Sequence, residues 1–190
     1  MNRWILCATL WAACGAYTSG ATIVRFSGTL SGAAESPANG SPGTGEVLVT
    51  IDSTTSTFRV QANFSGLEGA VTMANIHCCT DLPYQGNAGV ATMLPSLLDF
   101  PTGVREGVYD KTFDSLAEST YNPDFIAANG GTTAGARKAL YDAFAVGKAY
   151  LNISTSVYGA GEIRGYLPEP AMGSITLLGM SILVLTRRRR

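Results

Sequence analysis

Three runs of this 190-residue chain alternate apolar and polar residues with a period of two, and Gly, Ser, Asn or Pro bounds each of them. They are Thr22-Ile23-Val24-Arg25-Phe26, residues 45–51 (Gly-Glu-Val-Leu-Val-Thr-Ile) and residues 57–64 (Thr-Phe-Arg-Val-Gln-Ala-Asn-Phe). In an extended strand successive side chains point to opposite faces, so each run can bury one face and wet the other. Asp52-Ser53-Thr54-Thr55-Ser56 reads as a hairpin connection between the second and third runs. Further strands are expected over residues 73–77, 147–155 and 161–167. Short strands with turn signals at this spacing predict an all-β domain, a sandwich or barrel of antiparallel sheets.

One stretch, from about 122 to 147, departs from that period. Asn122 can cap a helix, Pro123 suits its first position and Gly130 its end, which predicts a short helix. From about Thr133 to Val146, Ala136, Leu140, Ala143 and Phe144 recur at helical spacing and Gly147 can stop the run. The expected role of this excursion is to cover an open end or edge of the strands.

The two ends read as addresses. Residues 1–21 hold Arg3, an apolar run from Trp4 to Ala13 and small residues beyond, the anatomy of a secretory signal peptide. Ser19-Gly20-Ala21 and Cys14-Gly15-Ala16 both offer cleavage points, the first preferred because Thr22 then opens the first strand. The last 23 residues run Pro168-Glu169-Pro170, a stretch 171–186 without charge, and Arg187, Arg188, Arg189 and Arg190. Sixteen residues reach only about 24 Å as a helix against a hydrocarbon core of roughly 30 Å. The arginines hold that end in the cytoplasm and can snorkel to the headgroups. This order resembles the PEP-CTERM sorting signal of Gram-negative bacteria. The resemblance implies transient anchoring in the inner membrane, processing by an exosortase-type protease and release to the cell surface or the extracellular polysaccharide. A permanent C-terminal anchor is the plainer alternative.

Without these ends, residues 22–167 form one domain with 8 basic and 13 acidic side chains, a net charge of −5. That balance argues against nucleic acid or an anionic membrane surface as a partner. Of the four cysteines, Cys7 and Cys14 fall in the signal, leaving the neighbours Cys78 and Cys79. Adjacent cysteines cannot staple distant parts of a chain. A vicinal disulfide, free thiols and links to another chain all remain open, with oxidation favoured by export.

Phe26-Ser27-Gly28-Thr29-Leu30-Ser31-Gly32-Ala33-Ala34-Glu35-Ser36-Pro37, Phe64-Ser65-Gly66-Leu67, Ile76-His77, and Tyr150-Leu151-Asn152-Ile153-Ser154-Thr155 running into Gly161-Glu162-Ile163-Arg164-Gly165 together resemble the CHRD domain. The resemblance implies an immunoglobulin-like sandwich, distantly similar to copper-zinc superoxide dismutase. The family often carries His-Ile-His on its central strand. Here Asn75 stands in place of the first His, and Ser154 in place of a further His often found between Asn152-Ile153 and Thr155, so His77 is the only histidine. An amide or hydroxyl substitutes poorly for imidazole toward zinc or copper, and no dismutase-like site is expected.

Two functional classes follow. The first is a non-enzymatic exported domain that binds polysaccharide or a surface protein, or is structural, with no catalytic residues and no cofactor. The second is a metal- or redox-active protein using His77, Cys78 and Cys79, whose thiolates suit soft metals. On a strand His77 and Cys79 share one face while Cys78 points away, so the three converge only if the chain turns at Cys79. Glu162 and Arg164, two apart, are expected to share a face with Ile163 turned to the core. If the excursion covers that face, each charge needs a partner, and an ion network with Glu35 or another acid is the expected one. Asn152 joins Glu35, Glu162 and Arg164 as a structural polar residue.

Overall fold

The computed structural model describes residues 23–168. The signal segment 1–21, Glu169, Pro170, residues 171–186 and Arg187–Arg190 lie outside the described residues. Seven strands form the domain: β1 (Ile23–Ser31), β2 (Thr44–Asp52), β3 (Thr57–Ser65), β4 (Val71–Cys78), β5 (Gly107–Asp114), β6 (Ala149–Thr155) and β7 (Ile163–Tyr166). Two α-helices, α1 (Pro123–Ala128) and α2 (Thr133–Ala145), lie between β5 and β6. Among the described residues no helix is long and apolar enough to cross a membrane.

The strands form one antiparallel sheet in the order β4-β6-β7-β1-β2-β3-β5. Its curl comes from one seam. Where β1 and β2 pair along nine residues, β1 and β7 share a single register pair, Ser31 with Arg164. The layer β4-β6-β7 can therefore turn at the seam and face the layer β1-β2-β3-β5 as in a sandwich. Phe26, Leu30, Val49, Phe58 and Val60 of the longer layer meet Ile76, Leu151, Ile153 and Ile163 of the shorter in one core. Burying each such side chain stabilises the fold by about 1.5–3 kcal/mol.

Glycine makes the seam possible. A Cβ on Gly28 would lie 2.0 Å from the carbonyl oxygen of Tyr166, and one on Gly165 would lie 2.5 Å from that of Thr29. Bare Cα atoms thus let the backbones of β1 and β7 approach. Beyond β7, Leu167 donates to Ala149, and the Pro168 carbonyl accepts from Ser27, so the end of the domain is tied down beside β1.

The period-two runs all appear as strands, and the first extends to Ser31. β5 was not anticipated. Its inward residues Tyr109 and Phe113 are four apart, a spacing shared by helix and strand, and Val108 faces solvent at 79% exposure. Pairing decides it: Phe113 lies opposite Phe58 on β3, with ring centroids 5.1 Å apart.

The helical excursion forms as expected. The Asn122 side chain accepts from the Asp124 amide at 3.0 Å, Pro123 opens α1, and Thr132 caps α2 by accepting from Gly135. Gly147, with φ +69°, ends α2 by donating to Phe144. α2 buries Ala136, Leu140, Ala143 and Phe144, and Phe144 packs on Phe26 at 5.1 Å.

The seam yields a paired prediction. Gly28→Ala is expected to destabilise the domain by about 1–3 kcal/mol through overpacking against backbone. Gly40→Ala, where an added Cβ meets nothing within 4 Å, should stay within about 0.5 kcal/mol of the parent. Urea unfolding of the two variants measures the difference, and equal midpoints would show that the seam tolerates a side chain.

Candidate functional site

The closing motif Glu162-Ile163-Arg164 is buried at all three positions, at 0%, 0% and 2% exposure. Ile163 turns to the core as expected, but the residues on either side of it are covered by loops and not by the helices. The Glu162 carboxylate accepts four hydrogen bonds. Oε1 receives Ser41 Oγ and the Glu68 amide, each at 2.6 Å. Oε2 receives Thr155 Oγ1 at 2.6 Å and the Gly69 amide at 3.1 Å. Burial pushes its pKa up, but the two hydroxyls and two amides outweigh burial and hold it below the ordinary carboxylate range. The ion network expected for both residues therefore holds only for Arg164, because neutral donors already stabilise the Glu162 charge.

Arg164 makes the expected contact with Glu35, Nε lying 3.8 Å from Oε2. Its hydrogen bonds go elsewhere: Nε donates to the Ala34 carbonyl, and Nη1 to the Gly86 carbonyl at 3.0 Å and Asn87 Oδ1 at 2.9 Å. The guanidinium also lies 4.7 Å from the Tyr150 ring centroid and 5.6 Å from that of Tyr166, positions that favour cation–π attraction. On the far side of the register, His77 pairs with Tyr150 across β4 and β6, and their rings stack at 5.0 Å.

His77 is half-buried, and its Nδ1 lies 2.9 Å from the Ala88 carbonyl. A carbonyl only accepts, so Nδ1 carries the proton. Burial lowers the pKa of the ring, the Ala88 bond opposes this, and Arg164 adds to the lowering. The neutral ring therefore leaves Nε2 as a bare acceptor.

Cys78 and Cys79 form a disulfide with each other across a cis peptide bond, which resolves the three alternatives left open by their adjacency. Cys78 is buried and Cys79 exposed. In this form neither sulfur is a thiolate, so His77, Cys78 and Cys79 are not brought together as a set of ligands. Among the described residues no group of three or more His, Cys, Asp or Glu is placed to hold a metal ion. Asn75, which stands where the family often has His, is buried and donates to the Met93 carbonyl at 2.9 Å.

Above Tyr150 and Asn152 the outer side of the shorter layer opens into a cleft of about 420 Å³. The segment Ser36–Asn39 forms one wall, Asn87 and Ala88 another, and residues 158–161 the third. Glu35 and Asn152 sit at the floor, at 6% and 5% exposure. Glu35 Oε1 and Asn152 Oδ1 are both buried without a hydrogen-bond partner. Burial raises the Glu35 pKa to about 7, against the lowering effects of Arg164 and the Ser36 amide.

A family model, the CHRD domain, matches residues 26–167, from within β1 to the residue after β7. The chain belongs to the CHRD domain family. Comparison with curated proteins and with solved structures returned no match. The CHRD match covers β1 from Phe26 and the other six strands in full, and CHRD domains are a non-enzymatic family of extracellular or secreted proteins. The residues that carried the resemblance converge in this domain: Glu35 and Arg164 form its buried ion pair, Thr155 and Glu162 its carboxylate clamp, and Gly28 and Gly165 its seam. Sequence reasoning missed Ser41, Asn39, Asn87 and the backbone amides of residues 68 and 69, whose loops carry no strand or helix period.

Two carboxylates of this CHRD domain give opposite pH signatures. Glu162 is depressed, so its stabilisation is present above the ordinary carboxylate range and is lost as pH falls through its lower folded value. Glu162→Gln places an amide among four donors and is expected to cost about 1–3 kcal/mol, with less acid sensitivity in the remaining fold. Glu35 is raised, so stability from its environment is full below the ordinary glutamate value of 4.5 and is lost as pH rises through about 7. Glu35→Gln should remove that fall, flattening the melting temperature between about pH 5 and pH 8. Thermal unfolding of parent and variants measures both, below pH 4.5 for Glu162 and between about pH 5 and pH 8 for Glu35, and an undiminished fall in Glu35→Gln would refute the assignment.

Proposed function

We propose that this CHRD domain is an exported, non-enzymatic binding domain of the bacterial cell surface or extracellular matrix, and that its partner is polysaccharide. In this reading the N-terminal segment directs export. The C-terminal Pro-Glu-Pro, apolar stretch and arginines hold the chain transiently in the inner membrane until an exosortase-type protease releases it.

The observation that carries the reading is the solvent face of the longer layer. Register places Ser27, Leu48, Gln61 and Asp110 in one row across β1, β2, β3 and β5, and Thr29, Glu46, Asn63 and Val108 in the next. Together they line a shallow groove of about 670 Å³. One of its two carboxylates is tempered, since Asp110 pairs with Arg59 and accepts from Gln61 Nε2 at 3.3 Å. Hydroxyls, amides, one paired carboxylate and the Glu46 carboxylate on a broad open sheet suit a polymer of hydroxyl groups, which needs both donors and acceptors. The buried polar groups support the non-enzymatic part, because Glu162 and Arg164 are engaged in holding loops.

Affinity electrophoresis of the purified protein in gels containing the host's extracellular polysaccharide tests the proposal. Migration should be retarded, and a Gln61→Ala, Asn63→Ala double variant should bind about tenfold more weakly, a change of roughly 1.4 kcal/mol. Equal mobility with and without the polysaccharide would sink the reading.

A further inference from the structure

We infer that the cleft above Tyr150 and Asn152 is a second, discrete binding site, separate from the sheet face, that takes a neutral sugar unit through that sugar's hydroxyl donors. It shares with the proposed function the chemistry of the ligand and none of its residues. Three acceptors of the cleft receive no hydrogen bond from the protein. Glu35 Oε1 and Asn152 Oδ1 are buried and unpartnered, and His77 Nε2 is the unprotonated nitrogen of a ring whose Nδ1 is engaged with Ala88. All three residues line the same cleft.

An acceptor left without a donor in a buried place costs about 1–3 kcal/mol. Two side by side are not an accident of loose packing, because Gly161 holds them close. At Gly161, with φ +141°, an added Cβ would lie 2.6 Å from Asn152 Oδ1 and 2.7 Å from Glu35 Oε1. The bare Cα is what lets both oxygens converge beside it. A proton on Glu35 shared with Asn152 Oδ1 would satisfy those two oxygens and still leave His77 Nε2 without a donor.

The Asn39 and Asn87 amides of the walls are already engaged. Asn39 donates to the carbonyls of Gly161 and Glu162, and Asn87 donates to Ser36 and accepts from Arg164. They brace the walls and cannot turn inward to supply donors. The hydroxyls of a ligand can supply the hydrogens that these acceptors lack.

Charge narrows the ligand. The Arg164 guanidinium, 3.8 Å from Glu35, balances the carboxylate. A metal ion or ammonium group on the same oxygens would face that fixed positive charge, whereas a hydroxyl would not. An anion would meet three acceptors. A neutral group with adjacent O–H donors fits, and the cleft volume lies within the ~300–1,000 Å³ of small-molecule sites.

The test is a titration of the purified protein, followed by amide shifts in ¹H–¹⁵N spectra, with D-glucose, D-galactose and D-mannose as separate probes. At least one should move the amides of Asn39, Ala88 and Gly161, with a Kd on the order of 1 mM. Tetra-O-methyl glucose, which can accept but barely donate, should bind at least tenfold more weakly. Ala38→Trp, which adds bulk at the exposed rim without touching the floor, should also weaken binding at least tenfold while leaving retention on the host polysaccharide through the sheet face intact. No perturbation of the cleft amides by any of the three sugars would overturn the inference, as would equal binding of the methylated sugar. Calcium or zinc chloride moving the same amides where the sugars do not would overturn it as well. A cleft that fails while the polysaccharide is still bound leaves the sheet-face proposal standing, and sugar binding at the cleft with no polysaccharide retention does the reverse.

Discussion

One carboxylate organises the end of this domain where its loops gather. Glu162 lies just before β7, but its oxygens receive groups from the segment after β1, from the turn between β3 and β4, and from the end of β6. Those four donors come from three separate segments of the chain. A buried charge would ordinarily be a liability of several kcal/mol. Here four donors convert it into a tie, because neither oxygen is left without a partner. Ser41 in turn is fixed by Asn39, whose amide holds the backbone of residues 161 and 162. The clamp is thereby closed on itself, side chain to backbone and back.

Glu35 shows the contrary case only a short distance away. It faces a cation without hydrogen-bonding to it, and one of its oxygens has no partner. The same residue type is held charged in one place and made reluctant to ionise in the other. What separates them is the supply of donors and not depth alone, since both side chains are nearly removed from solvent. A fold that satisfies one carboxylate so fully and leaves its neighbour unsatisfied concentrates chemical potential for binding at the second.

Much of the architecture was legible because β1, β2 and β3 each have one buried and one wet face, so their alternation survives in the residues. β6 was legible for a different reason. It is buried on both faces, under the core on one side and under the loops at 34–39 and 86–88 on the other, and its run of Ala149 to Thr155 shows no clean alternation. Its place came from length and flanking turns. β5 escaped notice because Tyr109 and Phe113 fit two periods and the decisive partner, Phe58, is 55 residues away in the chain. The pairing of Arg164 with Glu35 could be foreseen from the cost of an unpaired buried charge. The partners of Glu162 could not, since two of the four are backbone amides, which every residue but proline possesses.

The tie between Pro168 and Ser27 gives the domain a mechanical character. β7 runs in the middle of the sheet, with β6 on one side and β1 on the other, and the chain leaves it through Leu167, which is fully buried. A pull applied at that end acts along the strand and strains the bonds to both neighbours together, in shear. The edge strand β5 would instead peel from β3 one bond at a time. A pull on the carboxyl end of the domain would thus meet its strongest geometry, and the glycine seam would be the place where that force passes from one layer to the other.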